Sequence, residues 1–125
     1  MTCIVVVDDD RDFTDLVTSL LEDRGWRAAT CHVEWDAAAC VKREQPDAVL
    51  LDLRMGSPKS GWTILDQMRA DPATSRIPVI VCSASAAELR DKNGELQARN
   101  VGALVKPFDI DELYCAIEHS LRTSV

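Results

Sequence analysis

Short runs of Val, Ile and Leu, continuous rather than alternating in polarity, recur along the chain between longer segments of helical period. Cys3 to Val7, Ala48 to Leu51 and Val79 to Cys82 are such runs, and their unbroken apolar character predicts parallel strands covered by helices on both faces. Arg27 to Cys31 and Ala103 to Val105 are weaker strand candidates. Between them the period predicts helices. Asp12 to Arg24 places Phe13, Leu16, Val17, Leu20 and Leu21 on one face and stops at Gly25; Glu34 to Glu44 stops before Pro46; Gly61 to Ala70 ends at Asp71-Pro72. Ala86 to Arg99 is helical in composition, with Asn93-Gly94 predicting a break or a late start. The fifth helix opens with Asp109 and Glu112 in capping-box spacing and carries Ile110, Leu113, Ile117 and Leu121 inward.

Strict alternation of strand and helix, joined by right-handed crossovers, predicts an α/β fold: a doubly wound five-stranded parallel sheet with five helices on its two faces. Such a sheet places its ligand site beyond the carboxyl ends of the strands, at the switch in strand order.

Composition sharpens this picture. A chain of 125 residues, 46% hydrophobic and 28% charged, is globular and has the length of one domain, spanning residues 1–125. The last predicted helix is followed only by Ser124-Val125, so no output domain is expected in this chain. With 14 basic against 21 acidic side chains the net charge is -7, which repels phosphate backbones and anionic lipid heads. Direct nucleic-acid and membrane binding are not expected. The five cysteines, Cys3, Cys31, Cys40, Cys82 and Cys115, show no metal spacing and read as small, reduced core residues. No signal-length or membrane-length apolar stretch occurs, and a cytoplasmic location is expected.

The residues at the strand ends carry the chemistry. Asp8-Asp9-Asp10 follows the first strand, Asp52 the third, Ser83 the fourth and Lys106-Pro107 the fifth, and these loops should converge. Taken singly, each has an ordinary reading: capping carboxylates, a turn residue, a loop hydroxyl, a solvated cation. Together, Asp8, Asp9 and Asp52 would bring three carboxylates into one cleft, where repulsion would raise their pKa values unless a cation intervened. Oxygen ligands with no His or thiolate beside them suit Mg²⁺, and Mg²⁺ with Lys106 would balance the three carboxylates formally. Phosphoryl transfer needs an in-line nucleophile, charge neutralisation and donors to the equatorial oxygens. Asp52 is the candidate nucleophile, forming an aspartyl phosphate; Asp8 and Asp9 would hold Mg²⁺; Ser83 and Lys106 would contact phosphoryl oxygens.

Asp8-Asp9 after a VVV strand, Asp52-Leu53-x-Met55, Ser83-Ala84 after VIVC, and Lys106-Pro107-Phe108 together resemble the receiver domain of two-component response regulators, over essentially the whole chain. The resemblance implies a flavodoxin-like sheet of order 2-1-3-4-5, as in chemotaxis regulators. It implies Mg²⁺-dependent phosphorylation of Asp52 by a sensor histidine kinase or phosphotransfer protein, with the backbone carbonyl of Arg54 as a further metal ligand. It also implies a switch that signals to a downstream protein target through the surface of the fourth helix, fifth strand and fifth helix. Such a domain assists its own phosphorylation and dephosphorylation without being a metabolic enzyme.

The chain departs from the family in three places. Gly56 follows Met55, Pro58 comes two further on and Gly61 stands one residue late, so the loop beside Asp52 is altered. Arg54, Ala84 and Ser85 occupy positions that in the family modulate the lifetime of the acyl phosphate; Arg54 either contacts the phosphoryl group or is solvated. Ala103 stands where many receivers carry Tyr or Phe, leaving the fourth helix or the loop after Asp52 as the route for output. Trp26, Trp35 and Trp62 read as packing residues, and His32 and His119 as ordinary ones.

Two other readings stay open at this level. One is a receiver-like module retained for protein binding without phosphorylation. The other is a phosphohydrolase of the haloacid dehalogenase type, in which Asp8-x-Asp10 would form the catalytic motif.

Overall fold

The computed structural model describes residues 1–57 and 59–123, so Pro58 and the Ser124-Val125 end lie outside the described residues. Among the described residues five strands form one all-parallel sheet of order β2-β1-β3-β4-β5: β1 (Cys3–Val7), β2 (Arg27–Cys31), β3 (Ala48–Asp52), β4 (Val79–Ser83) and β5 (Gly102–Val105). Alternate residues of a strand face opposite sides, and the inner strands β1, β3 and β4, buried on both faces, therefore carry apolar residues at nearly every position. Ile4, Val6, Leu50 and Ile80 face α1 (Arg11–Asp23) and the C-terminal α6 (Ile110–Thr123). Val5, Val49, Leu51 and Val81 face α2 (Glu34–Glu44), α3 (Ser60–Ala70), α4 (Ala86–Asp91) and α5 (Asn93–Ala98). Leu50 and Leu51 are almost fully buried on opposite faces of the central strand. Truncating either to Ala costs about 2–5 kcal/mol.

Among the described residues six helices replace the expected five, because the segment from Ala86 to Arg99 breaks at Lys92 into α4 and α5. Asn93-Gly94 weakens the helix there, and Leu89 of α4 and Leu96 of α5 are both buried in the core. Asp109 and Glu112 form the predicted reciprocal cap, Glu112 N–H to Asp109 Oδ1 at 2.7 Å and Asp109 N–H to Glu112 Oε1 at 3.2 Å.

Several side chains lie elsewhere than the periodicity suggests. Leu16 is 60% and Ile110 44% exposed, while Thr14 takes a buried place on α1 beside Val17 and Leu21. Trp35, 85% exposed at the start of α2, packs no core. Trp26 and Trp62 are half-buried against the two core layers. Cys115 is exposed whereas the other four cysteines are buried.

Candidate functional site

Register places the acids together. Val7 pairs with Leu51 across β1 and β3, so the next residues, Asp8 and Asp52, emerge side by side at the carboxyl end of the sheet. Asp8 is buried; its Oδ1 accepts the Asp10 N–H at 3.0 Å, a local turn that holds the carboxylate in the cleft. Asp52 is half-buried and its Oδ1 accepts the Arg54 N–H at 3.1 Å. Burial raises the Asp52 carboxyl above its ordinary value; the Arg54 bond and Lys106 oppose this, and the Asp8 and Asp9 charges add to it. Asp9 is exposed, and one carboxylate oxygen from each of Asp8, Asp9 and Asp52 lies within 4.8 Å of the others.

Lys106 closes the cleft from β5. Its Nζ donates to Asp8 Oδ2 at 2.6 Å and lies 3.9 Å from Asp52 Oδ2. The Phe13 ring sits beneath it, 4.2 Å from Nζ to centroid, and Phe108 braces that ring edge-on at 5.9 Å. Burial alone would lower the Lys106 ammonium, but the Asp8 bond and the two carboxylate charges outweigh it and hold its pKa above the ordinary value. The cation is therefore charged and aimed between the two acids.

Ser83 ends β4 and is buried. Its Oγ donates to Glu88 Oε1 at 3.1 Å and accepts the Ser85 N–H at 3.0 Å. Ser85 caps α4, its Oγ accepting the Glu88 N–H at 3.1 Å, while Ala84 beside it is exposed. The Arg54 guanidinium pairs with Glu88, Nε to Oε1 and a terminal nitrogen to Oε2, both at 3.4 Å. Glu88 is thus the residue that sequence reasoning missed. Its only signal was a Glu in the first turn of a helix beginning just after Ser83, which reads as a capping residue.

The donor set fits a hard divalent ion: three carboxylates and no sulfur or imidazole in the cluster. Asp10 stands apart from this group, its Oδ1 accepting the Phe13 N–H at 3.1 Å as the cap of α1. Ala103 lies on β5 opposite Val81 and is exposed. The Gly61 N–H donates to the Leu53 carbonyl at 3.0 Å, seating α3 directly on the end of β3.

Fold and pocket together define a doubly wound α/β domain with an acidic, lysine-closed cleft at the switch in strand order, between β1 and β3. The chain belongs to the response regulator receiver domain family, whose model matches residues 4–118. This is a signalling family of two-component systems and not one of metabolic enzymes. The DNA-binding dual master transcriptional regulator RpaA of Synechocystis sp. is 33% identical over 126 residues, covering 98% of this chain and 50% of that protein. The transcriptional regulatory protein CpxR of Escherichia coli is 35% identical over 124 residues, 99% of this chain and 51% of its own length. The chain therefore spans about half the length of the curated relatives it matches. Among solved structures, the N-terminal domain of a response regulator receiver protein from Methanoculleus marisnigri is 34% identical, with 95% of each chain covered and a TM-score of 0.76. Among the described residues no helix is long and apolar enough to cross a membrane.

Proposed function

We propose that residues 1–125 form a single receiver domain that accepts a phosphoryl group on Asp52 and signals through protein contacts. The donor is the phosphohistidine of a sensor histidine kinase or phosphotransfer protein, and the location is cytoplasmic. The observation that carries this reading is the convergence of Asp8, Asp9 and Asp52 on one point, with the Lys106 ammonium 2.6 Å from Asp8 and 3.9 Å from Asp52. Three carboxylates exceed one ammonium in charge, and a divalent ion would offset that excess where a phosphoryl group is to bind.

Asp52, partly desolvated, attacks phosphorus in line. The new O–P bond forms as the P–N bond of phosphohistidine breaks, and the departing imidazole keeps the electron pair. Asp8, Asp9, Asp52 and the backbone carbonyl of Arg54 would hold Mg²⁺, which supplies charge neutralisation on the transferring group when bound. Lys106 and the Ser83 hydroxyl donate to the phosphoryl oxygens. Arg54, Ala84 and Ser85 border the acyl phosphate and set how readily water reaches it, and with Lys106 they govern the domain's part in its own dephosphorylation. With a net charge of -7 the partner is a protein rather than nucleic acid or an anionic membrane.

Intact-protein mass spectrometry after incubation with acetyl phosphate tests this. A single phosphoryl adduct is expected with Mg²⁺, absent without it and absent in Asp52→Asn. An adduct that persisted in Asp52→Asn but vanished in Asp8→Asn would overturn the assignment. Asp9→Ala should bind Mg²⁺ more weakly than the parent, and equal affinity would remove Asp9 from the metal site.

A further inference from the structure

We propose that Glu88 is the positioning residue that couples the phosphoryl site to α4, holding Ser83 and Arg54 away from Asp52 until a phosphoryl group draws both from it. This rests on Asp52 being the acceptor. The Glu88 carboxylate accepts a hydrogen bond from the Ser83 hydroxyl at 3.1 Å and faces the Arg54 guanidinium with both oxygens at 3.4 Å. Its side chain is only 17% exposed, so water competes weakly for these bonds.

Both donors border the acceptor. Ser83 follows Cys82, the register partner of Asp52 on the adjacent strand, and Arg54 gives its own backbone N–H to Asp52. A phosphoryl group on Asp52 offers three oxygens and up to two negative charges within reach of both side chains, a stronger acceptor than one carboxylate. Once they turn to it, Glu88 is a half-buried carboxylate that has lost its hydroxyl donor and its cation. Such a group is costly to keep in place. Swinging it into water relieves the cost and carries α4 with it.

The local structure suits that movement. α4 has six residues, contributes one buried side chain, Leu89, and is broken from α5 at Lys92. Its cap residue Ser85 donates its N–H to the same Ser83 Oγ, at 3.0 Å. Reorienting one hydroxyl therefore releases Glu88 and loosens the start of the helix together. Ala103 carries only a methyl on the exposed face of β5, so the chain has a route to α4 that needs no aromatic at that position.

The test titrates beryllofluoride, a tetrahedral stand-in for the phosphoryl group, with Mg²⁺ into the full chain, followed by amide resonances. Glu88→Ala should bind roughly tenfold more tightly than the parent, the factor expected when one competing charged hydrogen bond is removed. Before any beryllofluoride is added, its amides at 86–91 should already lie displaced toward the parent's saturated positions. Glu88→Gln keeps an acceptor for Ser83 but no charge for Arg54, and should fall between the two. In a Ser83→Ala background the gain from Glu88→Ala should shrink to about threefold or less, which a merely structural role would not produce. Affinities of both Glu88 variants within about twofold of the parent or weaker, or a gain undiminished without Ser83, overturn the latch and leave Asp52 as acceptor. A parent that neither binds beryllofluoride with Mg²⁺ nor forms an adduct on Asp52 overturns both readings.

Discussion

Gly61→Ala separates what helix propensity alone foresees from what packing imposes. A Cβ at Gly61 would stand 2.4 Å from Leu53 Cα and 2.6 Å from the Asp52 carbonyl oxygen, where ordinary contact begins at 3.4 Å. The end of β3 and the first turn of α3 must therefore part by about 1 Å, and because the clash is with backbone, no rotamer relieves it. That places the cost near the top of the usual overpacking range, about 3 kcal/mol, offset by at most about 1 kcal/mol of helix propensity gained over Gly. The net is about 2 kcal/mol, or roughly 8 °C in Tm for a domain of this size. Gly94, in α5, is the control: an added Cβ meets nothing within 4 Å. Gly94→Ala should stabilise by up to about 1 kcal/mol. Thermal and urea unfolding followed by circular dichroism, in metal-free buffer, would measure both. Opposite signs are expected; a Gly61→Ala protein as stable as the parent would refute the close approach of α3 to the loop after Asp52. Because the clash falls on the backbone of Asp52 and Leu53, Gly61→Ala should also slow adduct formation from acetyl phosphate.

Other expectations follow from the site. Asp52 has a raised pKa in the folded chain, so its favourable contribution is present below the ordinary carboxylate range and lost as pH rises through the folded value. Asp52→Asn should therefore be more resistant to urea than the parent at pH 7 without metal, with the difference fading in acid; equal resistance at pH 7 would contradict the desolvation of Asp52. Lys106→Met removes the cation bonded to Asp8, a side chain only 2% exposed, and should cost about 3 kcal/mol in metal-free buffer, with Mg²⁺ restoring part of it. A denaturation midpoint unchanged in Lys106→Met would contradict that pairing. Of the five thiols only Cys115 is exposed, and burial pushes Cys40 up to about 11 and Cys82 higher still. One thiol should react rapidly with a disulfide reagent under native conditions and all five after unfolding; two or more fast thiols would mean that the core opens.

The three inner strands, β1, β3 and β4, were legible because burial on both faces disfavours polar residues within them, and the chain shows this as continuous apolar runs, whereas the exposed edge strands β2 and β5 left a weaker signal. The same logic made their ends legible as sites, since Asp8, Asp52, Ser83 and Lys106 are where those runs stop. Two of the strands nevertheless extend one residue further, through Asp52 and Ser83, since ladder bonding depends on backbone geometry and not on side-chain polarity. Periodicity marks a helix face only to within about a residue. It could not foresee that Leu16 and Ile110 lie at the margin of their faces, or that Trp35 projects from the first turn of α2.

By itself the sequence determined the alternation of elements, the parallel sheet and the identity of the residues delivered to its carboxyl edge, all of which follow from local patterns of polarity and turn chemistry. The order of the strands came through resemblance and agrees with the register of the sheet. Tertiary structure alone decided the partners. It capped α1 with Asp10 while leaving Asp9 at the cleft, seated Gly61 against Leu53, and brought Arg54 and Glu88, 34 positions apart, onto one ion pair beside Ser83. Such pairings depend on where two separate loops meet in space, and no short-range pattern in the chain encodes that distance.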